Sequence, residues 1–330
     1  MKTITVSAPG KLMLLGEHAV VYGGPCLVTA VGQRMRATVE LVEDKNFYLD
    51  AFDVNVTGYQ KPLVGLGKGE IPKGAQFVEI AVKNFSEKYP LSTGIKVTTK
   101  SEFSAQFGFG SSSASTVCVL KALSELINLK LNNKQLFNLA YKTVLDIQGK
   151  GSGFDVAAAI YGGTLYFFTG GKAIESLKVN DLPLVIGYTG VKADTVTLIK
   201  QVAEKKKQFP DKIDRILQAI TKLVEEAKIK MLEGDWECVG KLMDFNQEYL
   251  RDLGVSSEKL EALISAAKNA GAYGAKLSGA GGGDCMIALI RQPTDQGKPL
   301  IEKAIKEAGG EVIRVLPNAP GVYLERQFVS

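Results

Sequence analysis

The chain has 330 residues, of which 45% are hydrophobic and 23% charged, with a net charge of +5. These values exclude a disordered chain and suit one large domain or two medium ones, each burying its own core. Lys and Arg are scattered over surface helices such as 200–207 and not gathered into a basic arm, which argues against a nucleic-acid partner.

In chain order, short strands are expected over 3–7, 12–15, 27–31, 35–42 and 47–52, each broken by Gly, Pro or polar turns. The opening Met1-Lys2-Thr3-Ile4-Thr5-Val6 alternates like a strand and lacks an apolar signal core. No apolar run approaches the ~18 residues of a membrane span. The expectation is a cytoplasmic protein that does not contact membranes. A helix follows Pro72, with Phe77, Ile80, Ala81 and Phe85 on one face, and 94–99 returns to a strand.

A Gly/Ser-rich segment then runs straight into a helix carrying Val117, Leu120, Leu123 and Ile127. Asn133 is the expected cap of the next helix, which ends near Gln148 at Gly149-Lys150-Gly151-Ser152-Gly153. Strands are expected at 164–168 and 184–188, and 195–269 is almost wholly helical in pattern. The tail supplies a strand at 285–289, a helix at 300–308 and two short closing strands. The shift in composition puts a lobe boundary near residue 180, giving an N-terminal lobe 1–180 and a C-terminal lobe 181–330.

Four segments carry the chemistry. In Gly108-Phe109-Gly110-Ser111-Ser112-Ser113-Ala114, glycines let the backbone approach a ligand, and the helix start offers unpaired N–H groups and positive partial charge. The hydroxyls of Ser111, Ser112 and Ser113 suit phosphate oxygens or Mg²⁺. Neither the P-loop nor the Rossmann glycine pattern is present. A second glycine cluster, Gly279-Ala280-Gly281-Gly282-Gly283-Asp284, can line a pocket with backbone, whereas Gly65-Leu66-Gly67-Lys68-Gly69 reads as a surface loop.

The third segment is Ala8-Pro9-Gly10-Lys11, followed by Gly16-Glu17-His18. Lys11 and Glu17 lie beside apolar strands, where charge is costly unless it is paired or faces a cleft. The fourth is Ser152-Gly153-Phe154-Asp155: an acid placed there can take a proton from a hydroxyl nucleophile, or simply cap a helix. His18 is the only histidine, which excludes histidine-rich metal sites. Cys26, Cys118, Cys238 and Cys285, far apart in apolar runs, read as buried reduced thiols.

Taken together, these motifs resemble the GHMP kinase superfamily. Residues 8–11 with 16–23 resemble the first motif as mevalonate kinases carry it, 108–114 the phosphate loop, and 276–283 the third motif. Likeness extends through 187–190 with Thr195 and through 246–256. The resemblance implies an α+β, two-lobed GHMP kinase fold with an ATP and acceptor cleft between the lobes. It implies ATP and Mg²⁺ as cofactors, with Asp155 and Lys11 catalytic and Ser112 binding the metal. The triphosphate would lie on Gly108, Gly110, Ser111, Ser112, Ser113 and Ala114, with Gly279, Ala280, Gly281 and Gly282 shaping the pocket. Lys11, Glu17, His18, Asp155 and Thr195 would face a small-molecule acceptor, mevalonate first. A homodimer is an expectation from the resemblance alone.

Three departures bear on the acceptor. The Mg²⁺-binding Glu usual in mevalonate kinases falls on Val144, eleven residues before Asp155, leaving Asp146 or another carboxylate to serve. The usual Pro and first Gly of the phosphate loop align with Ser104 and Gln106. Residues 149–161 and Asp284 resemble phosphomevalonate kinases as much, and Lys150 and Lys192 are available for a phosphorylated acceptor. A sugar kinase of this superfamily, diphosphomevalonate decarboxylase and a non-catalytic metabolite sensor are the remaining alternatives.

Overall fold

The computed structural model describes residues 2–104, 106–179, 181–291 and 294–325. Two antiparallel-rich sheets organise it. The strands are β1 (Thr3–Leu15), β2 (Pro25–Val42), β3 (Asn46–Ala51), β4 (Val56–Pro62), β5 (Gly94–Ser101), β6 (Thr164–Phe168), β7 (Ala173–Leu177), β8 (Leu184–Tyr188), β9 (Gly274–Ser278), β10 (Cys285–Leu289), β11 (Glu311–Ile313) and β12 (Tyr323–Leu324). The helices are α1 (Gln76–Lys88), α2 (Ser111–Leu126), α3 (Asn133–Gln148), α4 (Phe154–Tyr161), α5 (Thr195–Gln208), α6 (Pro210–Glu233), α7 (Trp236–Asp252), α8 (Glu258–Asn269) and α9 (Thr294–Glu307).

The first sheet runs β12-β1-β2-β5-β3-β4, with β6 on β2 and β7 on β6. Its axis is a long hairpin. The four short strands expected over 3–42 are in fact two continuous ones, because β1 and β2 pair along nearly their whole length, from Thr3↔Glu40 to Leu15↔Leu27. Pro9-Gly10 does not end the strand. It marks a bulge at which the register shifts, Pro9 facing Arg34 and Gly10 facing Val31, and a bulge accepts a residue without an N–H. One side of β2 then serves two neighbours, β6 on its first half and β5 on its second.

Helices α1, α2 and α3 pack as a layer, and α2 lies on β1 and β2. Twelve of its sixteen residues are buried, so it is a core helix and its N-terminus is aimed from within the protein. The cap of α3 is Asn132, one residue before the expected Asn133. Its side chain accepts from Gln135 N while Gln135 caps back, a reciprocal box.

The second sheet runs β11-β8-β10-β9, antiparallel throughout. Helices α5 to α8 confirm the helical reading of 195–269, and α8 covers β9 and β10. After β11 the chain returns to the first sheet, where Val6 pairs with Leu324. Asn180, at the expected lobe boundary, lies outside the described residues. Cys26, Cys118 and Cys285 are buried and Cys238 is partly so, all as free thiols. No helix among the described residues is long and apolar enough to cross a membrane.

Candidate active site

The phosphate-loop segment is fixed by its glycines. Gly108 and Gly110 have φ of 70° and 78°, a region that residues with a Cβ seldom enter. Gly110 is the N-cap of α2, and no side chain caps the helix. The N–H groups of its first turn therefore keep the donors that an anion would take. Ser111, Ser112 and Ser113 line a cavity of about 660 Å³ together with Gly108 and Gly110. Ala114 does not; it is 1% exposed and packs inward.

Lys11 reaches this loop from the strand residue just past the β1 bulge. Its backbone N–H donates to Phe109 O at 3.0 Å and its Nζ to Gly108 O at 2.8 Å. The Nζ also lies 5.2 Å from the centre of the Phe154 ring. Asp155 approaches from the opposite side, in the first turn of α4. A Cβ on Gly110 would sit 3.3 Å from Lys11 Cε and 3.7 Å from Asp155 Cβ. Glycine is thus what allows the lysine and the aspartate to meet over the loop.

Asp155 is not the cap of its helix; Gly153, with φ 91°, holds that position. Asp155 is half-buried and lines the cavity; its Oδ1 is buried and has no hydrogen-bond partner. Burial pushes its pKa above the usual aspartate value, and the positive charge of Lys11 pulls back against that shift. A buried acceptor with a free lone pair beside a cation is equipped to receive a proton.

Glu17 and His18 lie on the same cavity wall. The Glu17 carboxylate pairs with the ammonium of Lys276, and both side chains are fully buried. Burial pushes Glu17 up and Lys276 down, each toward neutrality, and each partner opposes the other's shift. Lys276 Nζ also donates to Leu277 O at 2.5 Å. His18 adopts φ 59° and shares a hydrogen bond of 2.9 Å between Nε2 and Ala280 O. Burial lowers its pKa, and the bond to Ala280 O opposes that shift. With the paired bonds of Ser278 Oγ to Met13 N and O at 3.1 and 2.9 Å, these contacts rivet the second sheet onto the first.

The cavity gathers residues from every predicted segment: Lys11, Glu17, His18, Asp155, Thr195, Gly279, Ala280 and Asp284, besides the phosphate loop. Gly281 and Gly282 stand behind it. Gly282 N donates to Val255 O at 2.7 Å, and a Cβ on Gly281 would collide with that same carbonyl. They anchor the glycine segment to the α7–α8 connection. Val144 does line the cavity, but Asp146 is turned away from it. There Asp146 pairs with Lys142 at 2.6 Å and accepts from Asn84 Nδ2 at 2.9 Å, which removes it as a substitute metal ligand.

Two features had escaped sequence reading. Lys276 carries the same signal as Lys11, a lone lysine inside an apolar run, but in the sequence it reads as the start of a glycine motif. The apolar wall of Phe77, Val196 and Ile199 offers no signal, since its residue types are those of any core.

Comparison with known proteins agrees with this geometry. The profile of the GHMP kinases N terminal domain matches residues 76–163, that of the GHMP kinases C terminal matches 212–310, and the galactokinase galactose-binding signature matches 1–41. These matches define the class as the GHMP kinases. A mevalonate kinase of Pyrococcus furiosus is 37% identical over 98% of this chain and 99% of its own length. The crystal structure of the Methanococcus jannaschii mevalonate kinase superposes with a TM-score of 0.78 at 26% identity, covering 98% of this chain and 99% of that one. A Listeria innocua protein has the same fold, with a TM-score of 0.86 at 24% identity over 98% of this chain and 99% of its own. The chain belongs to the mevalonate kinases of the GHMP kinase superfamily.

Proposed function

We propose that this enzyme transfers the γ-phosphoryl group of ATP to the primary hydroxyl of mevalonate, with Asp155 taking the proton. The carrying observation is the meeting of Lys11 and Asp155 over Gly110, with Asp155 Oδ1 buried and unpartnered. The acceptor oxygen attacks the γ-phosphorus, the bond to the bridging oxygen breaks, ADP leaves, and the hydroxyl proton passes to Asp155. Lys11 holds positive charge where the nucleophile becomes anionic, and the α2 N-terminus with Ser111 and Ser113 holds the triphosphate. Little covalent work falls to the protein, so rate comes from position and charge.

Mg²⁺ fits the Ser112 side of this cavity. Ser112 lines the cavity, and its hydroxyl makes no hydrogen bond among the described residues, its carbonyl alone accepting, from Ser115 and Thr116. Mg²⁺ is commonly held by one or two protein oxygens, substrate phosphates and waters, and would there neutralise phosphate charge. Val144 in place of a carboxylate leaves more of that shell to water and phosphate. Glu17 and His18 shape the acceptor end through backbone and packing, since one is paired with Lys276 and the other with Ala280. Thr195 adds a hydroxyl at the start of α5, which Asp194 caps. We also take residue 180 as the first division between lobes, with the second sheet formed wholly after it, although the tail from Pro317 to Leu324 returns to the N-terminal lobe.

ADP release with ATP and Mg²⁺, measured side by side with mevalonate and 5-phosphomevalonate, tests the reading; turnover of mevalonate is expected. One observation favours the phosphorylated acceptor as a second reading. Lys73, Lys150 and Lys192 line the cavity, and none of them forms an ion pair among the described residues. Turnover of 5-phosphomevalonate alone would establish that reading instead.

A further inference from the structure

Asp284 ends the third glycine segment with φ 54°, a left-handed conformation that Asp and Asn tolerate better than other side chains do. From there it grips the turn after β8. Its own N–H donates to Val191 O at 2.8 Å, its carbonyl accepts from Thr189 N at 3.0 Å, and its Oδ1 accepts from Ala193 N at 2.8 Å. Thr189 Oγ1 adds a bond to the same carbonyl at 3.0 Å. The second carboxylate oxygen looks the other way. A Cβ on Gly108 would come within 2.5 Å of Oδ2, so Asp284 sits wedged between this turn and the phosphate loop.

Lys192 lies in the gripped turn, between the two residues whose backbone Asp284 holds, and it lines the cavity. We propose that Asp284 is a positioning residue that sets Lys192 beside the phosphate loop, where Lys192 supplies positive charge to the phosphates of bound nucleotide. The proposal rests on reading 108–113 as the triphosphate cradle. Direct contact between Asp284 and phosphate would bring two anions together, so its contribution runs through the cation it holds. Burial raises the Asp284 pKa, while the Ala193 N–H and the charges of Lys11 and Lys192 favour its ionised form.

The test is ATP affinity measured by titration calorimetry without any acceptor, which separates it from the question of which alcohol is phosphorylated. Asp284→Gly removes the carboxylate and at the same time relieves the left-handed backbone, so the fold is retained. Asp284→Asn keeps an oxygen for Ala193 N and the tolerance for φ 54°. We expect Asp284→Gly and Lys192→Ala each to weaken ATP binding about tenfold, and the double variant to be no worse than the weaker single one, as residues acting as one unit behave. Asp284→Asn should stay within about threefold of wild type, and thermal melting of Asp284→Gly should be close to wild type. Additive losses, wild-type affinity in Asp284→Gly, or an Asn variant as damaged as the Gly variant would overturn the proposal. Gly110→Ala is the control on the cradle. If it binds ATP normally, the cradle reading falls and this proposal with it. If it loses ATP while Asp284→Gly does not, the role of Asp284 alone is refuted.

Discussion

Two lysine–carboxylate constellations lie within this cavity's walls, and they differ in one respect that separates architecture from chemistry. Glu17 and Lys276 are fully buried and bonded to each other. Lys11 is buried and Asp155 half-buried, and Lys11 spends its hydrogen bond on Gly108 O and leaves Asp155 Oδ1 without a partner. Glu17 Oε2, like Asp155 Oδ1, has no hydrogen-bond partner, but the Glu17 charge is neutralised by direct contact with the Lys276 ammonium, which no ligand need supply. An open pair carries an unmet electrostatic demand, which a substrate hydroxyl and a phosphate can meet. The closed pair joins the sheets, and the open one faces the reactants.

The contrast breaks most sharply at Asp155. Asp155→Asn is expected to lower kcat by about a thousandfold or more while ATP binding survives, since general-base catalysis typically supplies 10²–10⁴; residual activity within about tenfold of wild type would remove Asp155 as the base. The closed pair should respond in stability and not in chemistry. Lys276→Met strands a buried carboxylate and should cost about 3–5 kcal/mol in denaturant unfolding, with much of the loss recovered in Glu17→Gln/Lys276→Met. An unchanged unfolding midpoint for Lys276→Met would show that the pair is not the rivet described here.

Two smaller effects sharpen the comparison. Ser112→Ala should shift the Mg²⁺ concentration needed for half-maximal rate upward by about tenfold, because one of few protein ligands is lost; an unmoved Mg²⁺ curve would exclude Ser112 as a ligand. The stability of Asp155 itself provides the last test. Burial raises its folded pKa above the unfolded value, so the native state holds the proton more tightly than the unfolded chain does. Stability from this group is therefore full below the unfolded pKa and declines as pH rises through the folded one. Asp155→Asn should accordingly be more resistant to denaturant than wild type at pH 7, with the gap closing as pH falls. A gap independent of pH would mean that the Asp155 charge is not under strain.

How much of this was legible beforehand varies by residue. The phosphate loop was readable because its signal is local: Gly108, Gly110 and three serines at a helix start specify backbone freedom and N–H donors within seven residues. The placement of Asp155 beside a glycine break was visible too, but whether it capped a helix or faced a cavity was not, since both use the same residues. Asp146 could be nominated as a metal ligand only until α3 acquired a facing; Lys142, one turn away, and Asn84 on α1 then claim its carboxylate. The strands over 3–42 were read as four because Pro9 and Gly32 break local propensity, whereas pairing across the whole hairpin outweighs that preference.

By itself the sequence determined the chemistry in stock and its local backbone: the glycine turns, the helix that starts on the serines, a lysine beside an apolar strand and an aspartate after a glycine break. Only the tertiary structure decided which charges are spent on each other and which remain for a ligand. Lys276 and Lys11 lie in equally apolar runs and differ only in their neighbours across the fold, Glu17 for one and the Gly108 carbonyl for the other. A charge's cost of burial is set by where it sits, but its function depends on whether a partner 259 residues away in the chain has already neutralised it.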